Sequence, residues 1–309
     1  MNLNFAKKTI MVSLTAIAGS VLLFSCAKNV DTSSTSNSAL AGNIIGGQAA
    51  DATFEKTNGV VGLVILSKKP GVDLQGKPNM SEAICTGSLI GKRTVLTAAH
   101  CLMDPGLTQV IAIFNLNIDD ASAQKTFIRG ARATPNENFS PSGQGGSFVE
   151  GQPWNDIAIV QLSSDAPADF QLTQLPTEQD LQVLKAGSDI LLAGYGVTTP
   201  IVNQEKTVKG KKVITPVADV SNTAGILRFV TTKVLVATKD NKEIEIDQFG
   251  GTLGACHGDS GGPAFIKNAA GTFSIIGVTS RGTDMNGNCD KQNVYTNVYG
   301  QLDWIKANM

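Results

Sequence analysis

Three residue types, spread across the chain, carry the reactive chemistry. Ser260 sits in Gly258-Asp259-Ser260-Gly261-Gly262-Pro263, His100 in Thr97-Ala98-Ala99-His100-Cys101, and Asp156 lies between them. A serine hydroxyl is a poor nucleophile until an imidazole takes its proton, and the imidazole needs a carboxylate to fix its tautomer and stabilise its positive charge. The 309 residues include only two histidines, His100 and His257. His257 stands three residues before Ser260, too close along the chain for a rigid turn to aim both at one carbonyl carbon. It reads as a partly exposed residue near a cleft, which leaves His100 as the base. The chemistry is acyl transfer to an activated hydroxyl.

Chain order separates the known ways of building such a site. Read as Gly-x-Ser-x-Gly, the Ser260 segment also fits a strand-to-helix elbow, where the order is serine, acid, histidine. No histidine follows Ser260, so that order is excluded. An order with an acid before the histidine has Asp51 and Asp73 to draw on, but neither sits in a recognisable motif. The order His100, Asp156, Ser260 remains, and the apolar run Ile157-Ala158-Ile159-Val160 after Asp156 argues that the carboxylate is buried.

In that order, and with Ile44-Ile45-Gly46-Gly47, Thr97 to Cys101, Asp156-Ile157-Ala158 and Gly258 to Pro263, the chain from Ile44 to about Ala307 resembles a chymotrypsin-type (trypsin-like, S1) serine protease. The resemblance implies an all-β fold of two packed six-stranded Greek-key barrels with a short C-terminal helix. His100 and Asp156 would come from the first barrel (about 44–170) and Ser260 from the second (about 185–300). It assigns the oxyanion donors to the N–H groups of Gly258 and Ser260, where losing one donor typically costs about a hundred- to a thousandfold in rate. It pairs Cys85 with Cys101 and Cys256 with Cys289. It also makes the chain a zymogen: cutting before Ile44 creates an α-ammonium that turns inward to the Asp259 carboxylate. For the specificity pocket it implies Gly254 as the floor with Ala255 beside it, a substrate-pairing wall of Ser280, Arg281 and Gly282, and Asn293 as the second wall. No aspartate stands at the floor, which points to a small or medium uncharged side chain. Asp284 or Asp290 would reach the pocket if the alignment slipped. The implied activity is that of a serine endopeptidase, with protein or peptide substrates and an activating protease as partners. A catalytically silent binding module and an esterase are the alternatives on the same fold.

The N-terminus reads as an export signal: Lys7 and Lys8, an uncharged stretch from Thr9 to Phe24, then Leu23-Phe24-Ser25-Cys26. The stretch is short for a spanning helix and suits residues 1–25 as a cleaved signal. Its end resembles the bacterial lipoprotein signal, which implies a lipid on Cys26 and an exported protein at the outer membrane. Five cysteines leave one over if four pair, and in an exported protein an odd thiol needs an explanation; Cys26 is the one outside the implied pairs. Residues 26–43 are Ser-, Thr-, Asn- and Ala-rich with few large apolar groups, so they read as a tether and propeptide.

With 25 basic and 26 acidic residues and no basic block, electrostatics gives no reason to expect nucleic acid. No cofactor is called for, and two histidines without a Cys-x-x-Cys give no usual zinc cluster; the reading is a monomer with no metal site assigned, carboxylate-bound calcium staying open. Short apolar runs at Val60–Leu66, Ile84–Ile90, Val110–Phe114, Ile157–Leu162, Ile190–Ala193, Phe229–Val236 and Phe273–Val278, separated by turn-rich gaps, predict an all-β sandwich or barrel. Val298–Ala307, with Leu302, Trp304 and Ile305, fits the short closing helix that the resemblance implies. Pro141–Gly151 and Asn203–Lys212 read as surface insertions.

Overall fold

A computed structural model describes residues 44–73, 75–141, 152–199, 203–208, 211–216, 223–237, 242–284 and 288–309. The chain divides into residues 1–40 and 41–309, and everything described belongs to the second unit. The signal, Cys26, the tether and residues 142–151 lie outside the described residues. Among the described residues no helix is long and apolar enough to cross a membrane.

The chain starts with β1 (Gln48–Ala49) and α1 (Ala52–Asn58). Asp51 caps α1 by accepting from the Phe54 N–H at 2.8 Å, and the helix stops at Gly59, in the left-handed region at φ 62°; such a stop favours glycine. Six strands follow: β2 (Val60–Val72), β3 (Pro78–Gly91), β4 (Thr94–Thr97), β5 (Leu107–Ile113), β6 (Phe127–Pro135) and β7 (Ala158–Leu162). They close as an antiparallel barrel in the order β2-β3-β4-β7-β6-β5. The apolar runs predicted from sequence lie in these strands and fill the barrel with Val60, Leu63, Leu89, Leu96, Ile111 and Ile159, all buried.

Beyond α2 (Glu178–Val183) come β8 (Asp189–Gly194), the hairpin β9 (Asn203–Val208) with β10 (Lys211–Pro216), then β11 (Arg228–Ala237), β12 (Glu243–Ile246), β13 (Pro263–Lys267), β14 (Phe273–Gly282) and β15 (Asn293–Asn297). Strands β8, β11, β12, β15, β14 and β13 close a second antiparallel barrel, and β1 adds to it beside β11. Its core includes Ile190, Leu192, Val234, Ile244, Ile276 and Tyr295. The chain ends in α3 (Leu302–Asn308) after a 3-10 turn at Tyr299–Gln301, inside the stretch predicted as the closing helix.

Two placements differ from the sequence reading. The Asn203–Lys212 run is part of a regular hairpin, with Lys211 opposite Val208 and Pro216 opposite Asn203. Residues 44–49 belong with the second barrel: Ile45 bridges Gly254, and β1 pairs with β11. The reason is apolar burial, because Ile44, 1% exposed, sits in the second barrel's core cluster with Leu184, Ile190 and Leu192.

Candidate active site

The candidate base and acid stand at strand ends. His100 opens a 3-10 turn (His100–Leu102) just after β4, and Asp156 lies two residues before β7, the strand paired with β4. That pairing sets Thr97 opposite Ala158 and brings the two functional residues to one rim. The Cys85–Cys101 disulfide, with Cα atoms 6.5 Å apart, ties the histidine turn to β3.

Asp156 is fully buried and has a full set of donors. Its Oδ1 accepts from the His100 backbone N–H at 2.9 Å, and its Oδ2 faces His100 Nδ1 at 2.7 Å and accepts from Ser280 Oγ at 2.7 Å. Thr296 Oγ1 donates to the Asp156 carbonyl at 2.9 Å. Burial pushes the Asp156 pKa upward, but the His100 charge and these donors outweigh it and hold the group below its ordinary 3.8. At His100 burial pulls the pKa down, and the Asp156 charge and hydrogen bond overcome it, leaving the imidazole above its ordinary 6.5. An imidazole bonded through Nδ1 presents Nε2 for proton transfer.

The Ser260 segment is packed against this rim. Thr86 N–H donates to the Ser260 carbonyl at 2.8 Å, and Thr86 Oγ1 donates to the Gly258 carbonyl at 2.9 Å. The Gly261 N–H reaches Thr279 O at 2.9 Å. Gly261 has φ +80°, and a Cβ there would lie 2.0 Å from Thr97 Oγ1 and 2.8 Å from Ala98 N; a side chain would push the nucleophile loop off the histidine segment. His100 Nε2 and the Ser260 carbonyl oxygen lie 3.9 and 3.7 Å from the same Cys101 sulfur. Among the described residues neither the Gly258 nor the Ser260 N–H donates to a protein acceptor.

Asp259, next to the serine, is 1% exposed and accepts from the Gly196 N–H at 2.8 Å and the Cys256 N–H at 2.9 Å. Burial pushes its pKa up to about 7, against the lowering effect of those donors and of the Arg228 charge. His257 is exposed. It neighbours Cys256 and Cys289, the one His/Cys/Asp/Glu group among the described residues spaced to hold a metal. Both of those sulfurs are committed to a disulfide with Cα atoms 5.4 Å apart.

The wall residues take distinct roles. Ser280 serves Asp156, a partner that its position in the sequence does not reveal. Arg281 is 8% exposed and makes a two-pronged ion pair with Glu243 (Nη1 to Oε1 2.8 Å, Nη2 to Oε2 3.0 Å), while its guanidinium lies 4.3 Å from the Trp154 ring centre. Glu243 Oε1 also accepts from the Trp154 N–H at 3.1 Å, so the network ties the segment leading into Asp156 to β12 and β14. Gly282 lies opposite Asn293 across β14 and β15. Asp284 pairs with Lys291 at 2.8 Å, and Asp290 packs against Gly251.

Two antiparallel barrels whose loops bring a His–Asp pair and a serine turn together define the chymotrypsin-like class. A family model described as Trypsin matches residues 67–305, and the chain belongs to the trypsin family of serine proteases. It is 32% identical over 244 residues to phenoloxidase-activating factor 3 of Holotrichia diomphalia, covering 73% of this chain and 64% of that protein. It is 31% identical over 231 residues to kallikrein 1-related peptidase b3 of Mus musculus, covering 74% and 81%. The solved structure of HL collagenase superposes with a TM-score of 0.58 at 19% identity, over 86% of this chain and 98% of that one.

Proposed function

We propose that the chain is a serine endopeptidase made as an exported zymogen and activated by cleavage before Ile44. His100 Nε2 takes the proton of Ser260 Oγ as that oxygen bonds to the scissile carbonyl carbon. The resulting oxyanion is received by the Gly258 and Ser260 N–H groups, and Asp156 stabilises the imidazolium. Collapse of the intermediate expels the amine, which takes the proton from His100. Water, deprotonated by the same imidazole, then hydrolyses the acyl-enzyme and frees Ser260. The observation that carries this reading is the fully buried Asp156 bound to His100 Nδ1 at 2.7 Å, beside a nucleophile loop too close to Thr97 and Ala98 to admit a Cβ at Gly261.

Cleavage turns the Ile44 nitrogen into an ammonium able to pair with Asp259. The burial of Ile44 and the high pKa of Asp259 support this partner choice. A lipid on Cys26 would hold the uncut chain at the outer membrane, and the cut would release the barrels. If the species beginning at Ile44 resists alkaline extraction from membranes, release is wrong. The activity test is a fluorophosphonate probe applied to the form starting at Ile44: it should label that form and not a Ser260→Ala control. Equal labelling of both would refute the assignment.

A further inference from the structure

Thr86 stands on β3 next to Cys85, opposite Gly62 of β2, and is fully buried. Its N–H donates to the Ser260 carbonyl at 2.8 Å, and its own carbonyl accepts from Thr97 Oγ1 at 2.8 Å. The side chain makes two further bonds. Tyr195 N–H reaches Thr86 Oγ1 at 3.1 Å, and Thr86 Oγ1 lies 2.9 Å from the Gly258 carbonyl oxygen. A backbone N–H only donates and a carbonyl only accepts, so the single hydroxyl proton of Thr86 goes to Gly258.

The two carbonyls bonded to Thr86 belong to Gly258 and Ser260, the residues whose N–H groups are assigned to the oxyanion. A peptide N–H is aimed by the backbone torsions around it, and Gly258, at φ +97°, has no Cβ to restrict them. A Cβ there would lie 2.8 Å from Gly196 Cα, so a side chain cannot supply the restraint. Neighbouring groups supply it instead. The peptide joining Gly258 to Asp259 is held at both ends: its N–H donates to the Cys256 carbonyl at 3.0 Å, within the same loop, and its carbonyl accepts from Thr86 Oγ1, on the first barrel. Among the described residues no other donor reaches the Gly258 carbonyl. The Tyr195 N–H that bonds Thr86 Oγ1 is one residue before the Gly196 N–H that holds Asp259 Oδ1 at 2.8 Å, so the hydroxyl sits between two supports of the same loop.

We propose that Thr86 is a positioning residue for the oxyanion donors: its hydroxyl, with its N–H as the second grip, keeps the 258–260 turn oriented so that the Gly258 N–H faces the substrate oxygen as negative charge builds there. The proposal rests on the endopeptidase reading and deepens it by naming a group that holds the donors ready. Donors aimed in advance need no reorganisation at the moment of reaction. Loss of the hydroxyl therefore falls on the charge-building step, and binding of the uncharged substrate is spared.

The test compares Thr86→Val, which keeps the shape and loses the hydroxyl, with Thr86→Ser, which keeps the hydroxyl and loses a methyl. Both are made in the full chain with an enteropeptidase site before Ile44, cut to leave the natural start. Turnover is measured on the fluorogenic peptide that the unaltered protein cleaves fastest, chosen from a panel varied at the residue before the cleaved bond. Inhibition is measured with the trifluoromethyl ketone of the same peptide: Ser260 Oγ adds to the ketone carbon, its proton passes to His100, and an anionic oxygen is left facing the donors. Thr86→Val should lower kcat about tenfold to a hundredfold, short of the loss of a whole donor, with KM within about threefold of the parent's. The ketone should weaken by about the same factor as kcat/KM, and Thr86→Ser should recover most of both losses. A cooperative urea transition reports folding, and Thr86→Ala takes the place of the valine variant if that one shows none. No such transition in either makes Thr86 a residue of the fold alone and overturns the proposal. It is equally overturned by an unchanged kcat, by a loss carried in KM with kcat intact, by unaltered ketone affinity, or by a serine variant as impaired as the valine one. If the unaltered protein cleaves no peptide and takes no fluorophosphonate label, the endopeptidase reading has failed and this role of Thr86 falls with it.

Discussion

Replacing Asp259 by Asn in the uncut chain isolates the penalty of a carboxylate buried without its ammonium partner. Asp259 is 1% exposed, and burial carries its pKa from an ordinary 3.8 to about 7. A folded pKa above the unfolded one means that the native state binds the extra proton. The stability linked to that proton is fully present below pH 3.8 and is lost as pH rises through about 7. A displacement of about three units corresponds to about 4 kcal/mol, so this group alone should weaken the uncut chain by about that much between pH 4 and 8. Asparagine cannot ionise and removes the slope. It also leaves one of the two N–H donors at Gly196 and Cys256 poorly matched, a pH-independent loss of about 1–3 kcal/mol. Urea unfolding from pH 4 to 8, with Ser260→Ala in both proteins to prevent self-cleavage, should give curves that cross: the parent is more stable by about 1–3 kcal/mol at pH 4 and less stable by about 1–3 kcal/mol at pH 8. Glu55, also pushed up to about 7 by burial, titrates in both proteins and cancels in the difference. Cutting the parent before Ile44 should flatten its curve, because the new ammonium keeps Asp259 ionised. Parallel curves for the two uncut proteins would refute the reasoning.

The acid limb of kcat/KM should have its midpoint above 6.5, because Asp156 holds His100 above its ordinary value and only the neutral imidazole acts as base; a midpoint below 6.5 in a pH–rate profile contradicts this. Arg281→Ala should destabilise by about 3–5 kcal/mol by stranding the buried Glu243. Arg281→Met with Glu243→Leu should recover much of that loss, so a urea double-mutant cycle with purely additive effects would count against the network. Replacing Cys256 and Cys289 together by Ser should cost roughly 3 to 4 kcal/mol for a link spanning 33 residues, read as a lower urea midpoint that dithiothreitol shifts less than the parent's, because only Cys85–Cys101 remains to be reduced.

Features held in a few consecutive residues were legible without coordinates. The nucleophile hexapeptide, the histidine turn and the apolar run after Asp156 each carry their pattern locally, and the strand runs at Val60–Leu66 and Phe273–Val278 fell inside β2 and β14. The helices α1 and α2, at 7 and 6 residues, were not anticipated, because two turns or fewer give the helical period too little length to stand out. The Asn203–Lys212 run looked like a loop because its four lysines and one glutamate leave no apolar pattern to read, and the pairing of β9 with β10 that makes it strand is a matter of register.

By itself the amino-acid order determined which groups react and in which sequence they occur, since a base, an acid and a nucleophile are recognised by type and immediate neighbours. Barrel closure decided the rest. Ser280 reaches Asp156 across 124 positions, Arg281 finds Glu243 and Trp154, and Asn293 falls opposite Gly282. Alternation tells which face of a strand is buried but not which strand lies beside it or in what register. A one-residue shift between β14 and β15 would turn Asn293 away from the Ala255 carbonyl to which it donates, and no short stretch of sequence carries that information.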